Sequence, residues 1–146
     1  MSIETKLAEL GITLPDAPAP AANYVPYVMT GNLLFVSGQI SPAKGRLGAD
    51  LAVEEGAEAA RGCGLALLAQ ARAALGSLDR VVRVVKLTGF VNSTPEFTDQ
   101  PEVINGCSNL MVEVFGDKGR HARAAVSAPA LPRGVAVEVE AIFEFA

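Results

Sequence analysis

The chain has 146 residues, a formal net charge of −4, one histidine, two cysteines and no tryptophan. That length buries a sizeable core without disulfide or metal staples, and a balance of 50% hydrophobic to 19% charged residues excludes a disordered chain. The acidic balance argues against a phosphate-backbone binder, the single His121 excludes a multi-histidine metal centre, and 5% aromatics leave little for a base-stacking platform. Cys63 and Cys107 lack the number and spacing of a disulfide scaffold or a zinc site. No basic-then-apolar leader opens the chain, and no run approaches the roughly 20 apolar residues of a membrane span. The expectation is a cytoplasmic protein with reduced thiols and with neither nucleic-acid nor membrane partners. A mean hydropathy of +0.32 is high for such a chain and hints that copies bury surface against one another.

The expected architecture is one α+β domain over residues 1–146, of which 1–23 form a helix and a connector. Ser2 caps a first helix to about Leu10, with Ile3, Leu7 and Leu10 on one stripe and Gly11 as its stop. Pro15, Pro18 and Pro20 make the next stretch an extended connector. Tyr24 to Ile40 reads as a hairpin whose strands, Val25–Met29 and Leu33–Val36, flank a Gly31-Asn32 turn. Asp50 is the expected cap of a long helix ending at Leu75 before Gly76, with an Ala- and Gly-rich face suited to close packing. Val81 to Val91 is a strand whose near-continuous apolar run predicts burial on most of both faces. A helix from about Glu102 to Phe115 follows, stopped by Gly116. Two strands close the chain, Ala122–Ala128 and Val135–Phe145; in the second, Val137, Val139, Ala141 and Phe143 alternate with Glu138, Glu140 and Glu144. The sum is two helices packed on one mixed sheet, with an extra N-terminal helix.

The common catalytic signatures are absent: no phosphate-binding glycine loop, no dinucleotide fingerprint, no nucleophile elbow. Arg123 stands out. It sits in a strand between small apolar neighbours, where its rigid fork either grips a carboxylate through two parallel hydrogen bonds or points into water from an edge strand. If residues 129–134 close a simple hairpin, Arg123 faces Glu138 across it, with Glu140 as the competing partner; the pair is then a plain ion pair or a carboxylate that aims a water beside a held substrate. Tyr24 reads first as a core or interface tyrosine. His121 is within reach of neutral titration, though a loop histidine without a function is the plainer reading. Cys63 and Cys107 read as buried small hydrophobes without activating neighbours.

The run Ala122-Arg123…Val126…Leu131-Pro132…Val135-Ala136-Val137-Glu138-Val139-Glu140-Ala141-Ile142 resembles the C-terminal signature of the Rid family, the RidA/YjgF reactive-intermediate deaminases. Phe35-Val36-Ser37-Gly38-Gln39-Ile40 resembles the family's N-terminal signature, and Tyr24 precedes Ser37 at the family's tyrosine–serine spacing. The match is co-linear from about Tyr24 to Ile142. It implies a chorismate-mutase-like fold and a homotrimer with clefts between adjacent subunits. It implies hydrolysis of short 2-imino or 2-enamino acids, of the 2-aminoacrylate type, to 2-keto acids and ammonia, with no metal or organic cofactor. Carried over by position, Arg123 clamps the substrate carboxylate, Glu138 orients or deprotonates water, and Tyr24, Ser37 and Gly38 line the pocket. The family's pocket asparagine maps to Asn105 or Asn109. Ala125 stands where the family often has Cys, and the N-terminal helix and the segment 105–120 mark a longer, divergent branch. Two other functions stay open: a non-catalytic sensor of small carboxylates such as keto acids, and an endoribonuclease, which the acidic charge disfavours.

Overall fold

The Ser2 hydroxyl accepts from the Thr5 N–H at 3.1 Å and starts α1 (Ile3–Glu9). This computed structural model describes residues 1–17 and 22–146. Leu7 is buried on α1, but Leu10 is the exposed residue that ends the helix rather than part of its buried stripe. Of the expected connector, Pro18 and Pro20 lie outside the described residues; residues 12–17 have no regular structure. β1 (Tyr27–Thr30) and β2 (Leu33–Ile40) pair antiparallel, with Thr30 opposite Leu33. Gly31, at φ +58°, supplies the left-handed first residue of the two-residue turn. Tyr24 lies three residues before β1, in an irregular segment, not in the strand itself.

α2 (Val53–Leu75) begins later than its expected cap. Ala52 holds the cap position, and its N–H donates to the Glu55 carboxylate at 2.9 Å. Asp50 instead accepts from the Arg46 N–H, closing the preceding turn. The helix ends where Gly76 turns left-handed, at φ +81°. β3 (Val81–Asn92), α3 (Gln100–Phe115), β4 (Ala122–Ala128) and β5 (Val137–Phe145) complete the fold. Pro101 sits in the first turn of α3, where its missing N–H costs nothing.

The sheet order is β1-β2-β5-β3-β4. β3 and β4 are parallel, with α3 as the crossover between them; the other pairs are antiparallel. β4 and β5, expected to form a hairpin, are therefore not neighbours: β3 lies between them. Leu34, Val36, Leu87, Val91, Val137, Val139 and Phe143 make the face packed under α2 and α3. The other face is bare in one chain. Its register aligns Val28, Phe35, Ile142 and Lys86 in one row across the sheet and Ile40, Glu138, Phe90 and Val126 in another, with Glu140, Thr88 and Ala124 in the row between them. Val28, Phe35, Ile40 and Val126 are each more than two-fifths exposed. The apolar run of β3 thus overstated its burial within a single chain: Val82, Arg83 and Lys86 are exposed.

The helices approach closely because they present glycine. A Cβ on Gly106 would drive into the Ala57 carbonyl, whereas one on Gly62 would meet nothing nearer than Pro42 Cδ at 3.9 Å. Gly106→Ala is expected to destabilise by about 2–3 kcal/mol through backbone displacement. Gly62→Ala should stabilise by about 0.5–1 kcal/mol, from reduced unfolded-state freedom. Urea unfolding of the two variants checks both signs.

Candidate functional site

The family signatures fold into two polar patches on opposite sides of the sheet. The first stands on the edge strand. Arg123 pairs with Leu87 in the β3–β4 register, so its side chain leaves on the helix side. There its Nη1 donates to Asn105 Oδ1 at 2.8 Å and to Ser108 Oγ at 3.2 Å. Residues 105 and 108 are one helical turn apart and share a face of α3. Asn105, rather than Asn109, is the asparagine that touches the arginine. His121 completes the patch: Nε2 lies 2.9 Å from Ser108 Oγ and Nδ1 2.6 Å from the Gly119 carbonyl. Burial, with the Arg123 charge as a smaller contribution, pushes the imidazole pKa down, against the Gly119 hydrogen bond that raises it.

The second patch gathers at an irregularity in β2. Its register with β5 shifts between Val36 and Gln39, which takes Ser37 and Gly38 out of the ladder. Ser37 is pinned by two bonds to the segment before β1: its Oγ donates to the Val25 carbonyl at 2.8 Å, and its N–H to the Pro26 carbonyl at 2.9 Å. These hold the stretch carrying Tyr24, itself 52% exposed, beside the bulge. The Glu138 carboxylate lies against Gly38, where any Cβ would collide with it. Glu138 stands between Ile40 and Phe90 on the bare face. Desolvation there raises its pKa, and the charge of Glu140 raises it further.

Arg123 and Glu138, expected as cross-strand partners, do not meet within one chain. β3 separates their strands, and they project from opposite faces. Counting residues across the Pro129–Gly134 connection gives a register that the intervening strand abolishes. Cys63 and Cys107 are buried and free; burial raises both thiols, Cys107 to about 12, which leaves them protonated and inert. Among the described residues no three His, Cys, Asp or Glu side chains converge as a metal site would require, and no helix is long and apolar enough to cross a membrane. Ser108 is a site residue that motif and composition do not single out. Its one signal in the sequence is its place a turn after Asn105 on a predicted helix.

Residues 4–144 match the family described as "YjgF/chorismate mutase-like, putative endoribonuclease". The chain is similar to Protein TCP17 of Trypanosoma cruzi, 54% identical over 97% of this chain and 93% of that protein. It is 30% identical to the 2-iminobutanoate/2-iminopropanoate deaminase of Mus musculus, over 90% of this chain and 87% of the mouse protein. A crystal structure from Agrobacterium tumefaciens, of a protein described as having unknown function, superposes with a TM-score of 0.92 at 49% identity, covering 99% of this chain and 92% of its own. The chain belongs to the YjgF, or Rid, family and carries its chorismate-mutase-like α+β fold.

Gly38→Ala separates fold from site. The obstructed atoms are the far end of a flexible side chain, so the fold is expected to survive while the Glu138 carboxylate is displaced. Melting temperature should stay near that of the wild type, while any turnover that depends on Glu138 falls by about 10²-fold, the scale of a misplaced catalytic group.

Proposed function

We propose that this protein hydrolyses reactive 2-imino and 2-enamino acids of the 2-aminoacrylate type to 2-keto acids and ammonia. The observation that carries this reading is the state of Arg123. Its Nη1 is occupied by Asn105 and Ser108, and no other partner of the guanidinium occurs among the described residues. The Nε–H and Nη2–H donors therefore remain as a parallel pair, the geometry that takes a carboxylate side-on.

The reaction asks little else of a protein. An enamine first gains a proton at carbon to become the iminium. The iminium carbon is already electrophilic. A water adds to it, losing a proton to Glu138, and a carbinolamine forms. Glu138 returns that proton to nitrogen, and as the C–N bond breaks the hydroxyl gives its proton to the freed Glu138 carboxylate, which leaves ammonia and the 2-keto acid. Glu138 suits the base role because its pKa stands above that of an ordinary carboxylate, nearer to working pH. Tyr24, Ser37 and Gly38 would wall the pocket on the Glu138 side. Positioning and electrostatics suffice, with no metal or organic cofactor.

Because the two patches lie on opposite sides of one sheet, a complete site needs the Arg123 patch of one copy against the Glu138 patch of another. The bare apolar rows around Glu138 give a second copy something to cover. A homotrimer with three shared clefts satisfies this. The mouse relative's printed activity supports the reaction class. RNA cleavage is less well supported: the net charge is −4, and both ring nitrogens of the lone histidine are engaged. Keto-acid release from enzymatically generated 2-iminopropanoate tests the proposal. Faster release than in buffer is expected; no acceleration would overturn it, and carboxylate binding without turnover would leave the sensor function in its place.

A further inference from the structure

His121 and Ser108 take no part in the chemical steps above, yet both are wired to Arg123. The direction of that wiring follows from donor and acceptor chemistry. A carbonyl oxygen only accepts, so the 2.6 Å contact with Gly119 places the proton on His121 Nδ1. Nε2 of the neutral ring then accepts, at 2.9 Å, from the Ser108 hydroxyl. With its single proton spent on His121, Ser108 Oγ presents lone pairs to Arg123 Nη1 at 3.2 Å. The chain of donation runs from Arg123 to Ser108, to His121, to the Gly119 carbonyl.

Its far end is anchored. Gly119 is buried, and a Cβ there would collide with the Met111 carbonyl of α3, so the turn at Gly116–Gly119 lies tight against the helix. Asn105 Oδ1 accepts the second Nη1 hydrogen at 2.8 Å. Both hydrogens of Nη1 are thus taken up by α3, which fixes the rotation of the guanidinium plane and leaves only the Nε/Nη2 edge for a ligand. A long, exposed arginine would otherwise lose much rotamer freedom on binding.

We propose that Ser108 and His121 are positioning residues that hold the Nε/Nη2 edge of Arg123 ready for a substrate carboxylate. The inference rests on the anion-site reading of Arg123 given above. Removing either link loosens the guanidinium, which Asn105 still holds through the other Nη1 hydrogen, without removing its charge. The consequence is weaker carboxylate binding, not abolition.

Calorimetric titration with 2-oxobutanoate, the probe, tests this on the full-length protein. Ser108→Ala and His121→Phe are each expected to raise Kd about five- to tenfold, the scale of one missing hydrogen bond in a network. Ser108→Thr, which keeps the hydroxyl, should return Kd to near wild type, and the double variant should bind no worse than Ser108→Ala alone, because both break one chain. Nitrogen NMR of wild-type His121 should show the Nδ1–H tautomer without any ligand. Wild-type binding that neither variant weakens, a Ser108→Thr variant as poor as Ser108→Ala, or an Nε2–H tautomer would overturn the inference alone. Failure of the wild type to bind 2-oxobutanoate would overturn the anion site itself, and this inference with it.

Discussion

Arg123→Ala should abolish carboxylate binding and turnover together. Among the described residues of its patch the guanidinium is the only charged group that can answer a carboxylate, since Asn105, Ser108 and neutral His121 are uncharged partners that serve the arginine. Removing a charge-assisted bidentate hydrogen-bond pair costs on the order of 2–4 kcal/mol, or about 30- to 10³-fold in Kd and in kcat/KM. Arg123→Lys should recover only part, because an ammonium offers no parallel pair of donors. Stability should change little: the residue is exposed on an edge strand, and its removal frees Asn105 and Ser108 to bond with water. Titration with 2-oxobutanoate and a keto-acid release assay, run on the same preparations, check the expectation.

Glu138→Gln should divide chemistry from binding and raise stability. A glutamine cannot take a proton, so kcat is expected to fall by about 10²–10⁴-fold, the usual contribution of a general base, while the Arg123 anion site keeps its affinity. A protein that only senses carboxylates would show no such split. The stability effect has a definite sign. Burial, then the Glu140 charge, raises the folded-state pKa of Glu138. Its favourable contribution is therefore complete below the unfolded-state pKa and is lost as pH rises through the folded-state value. The charged carboxylate is the form this setting disfavours, so Glu138→Gln should melt above wild type at the high end of the pH range; the gap should close on acidification toward the ordinary glutamate range. Thermal unfolding across roughly pH 4–8 reads this directly. Activity purchased with a destabilising charge is a common trade at working sites.

Much of this was readable in the residues because it depends on local chemistry. Ser2 acts through its own hydroxyl, Gly31 and Gly76 through left-handed backbone, and all three mark element ends. The alternation in β5 determined which side chains face the helices, with Val137, Val139, Ala141 and Phe143 buried. Periodicity states which face a strand buries; it does not state its neighbour. The short connection from β4 to β5 therefore read as a hairpin, although the β3–α3–β4 crossover places β3 between them. That one error of adjacency created the supposed Arg123–Glu138 pair. Asp50 illustrates a different limit: a good capping residue two positions early served the Arg46 turn instead. Ser108 and Arg123 are far apart in sequence and meet only because α3 packs beside β4.

If Arg123 from one copy and Glu138 from another complete a single site, mixed oligomers reveal it most directly. Equal amounts of Arg123→Ala and Glu138→Gln, each inactive alone, are unfolded together and refolded. Random assembly into a cyclic oligomer gives about one quarter of the interfaces an intact arginine facing an intact glutamate, so keto-acid release should return to about a quarter of the wild-type rate. A mixture no more active than its two parents would contradict a shared site.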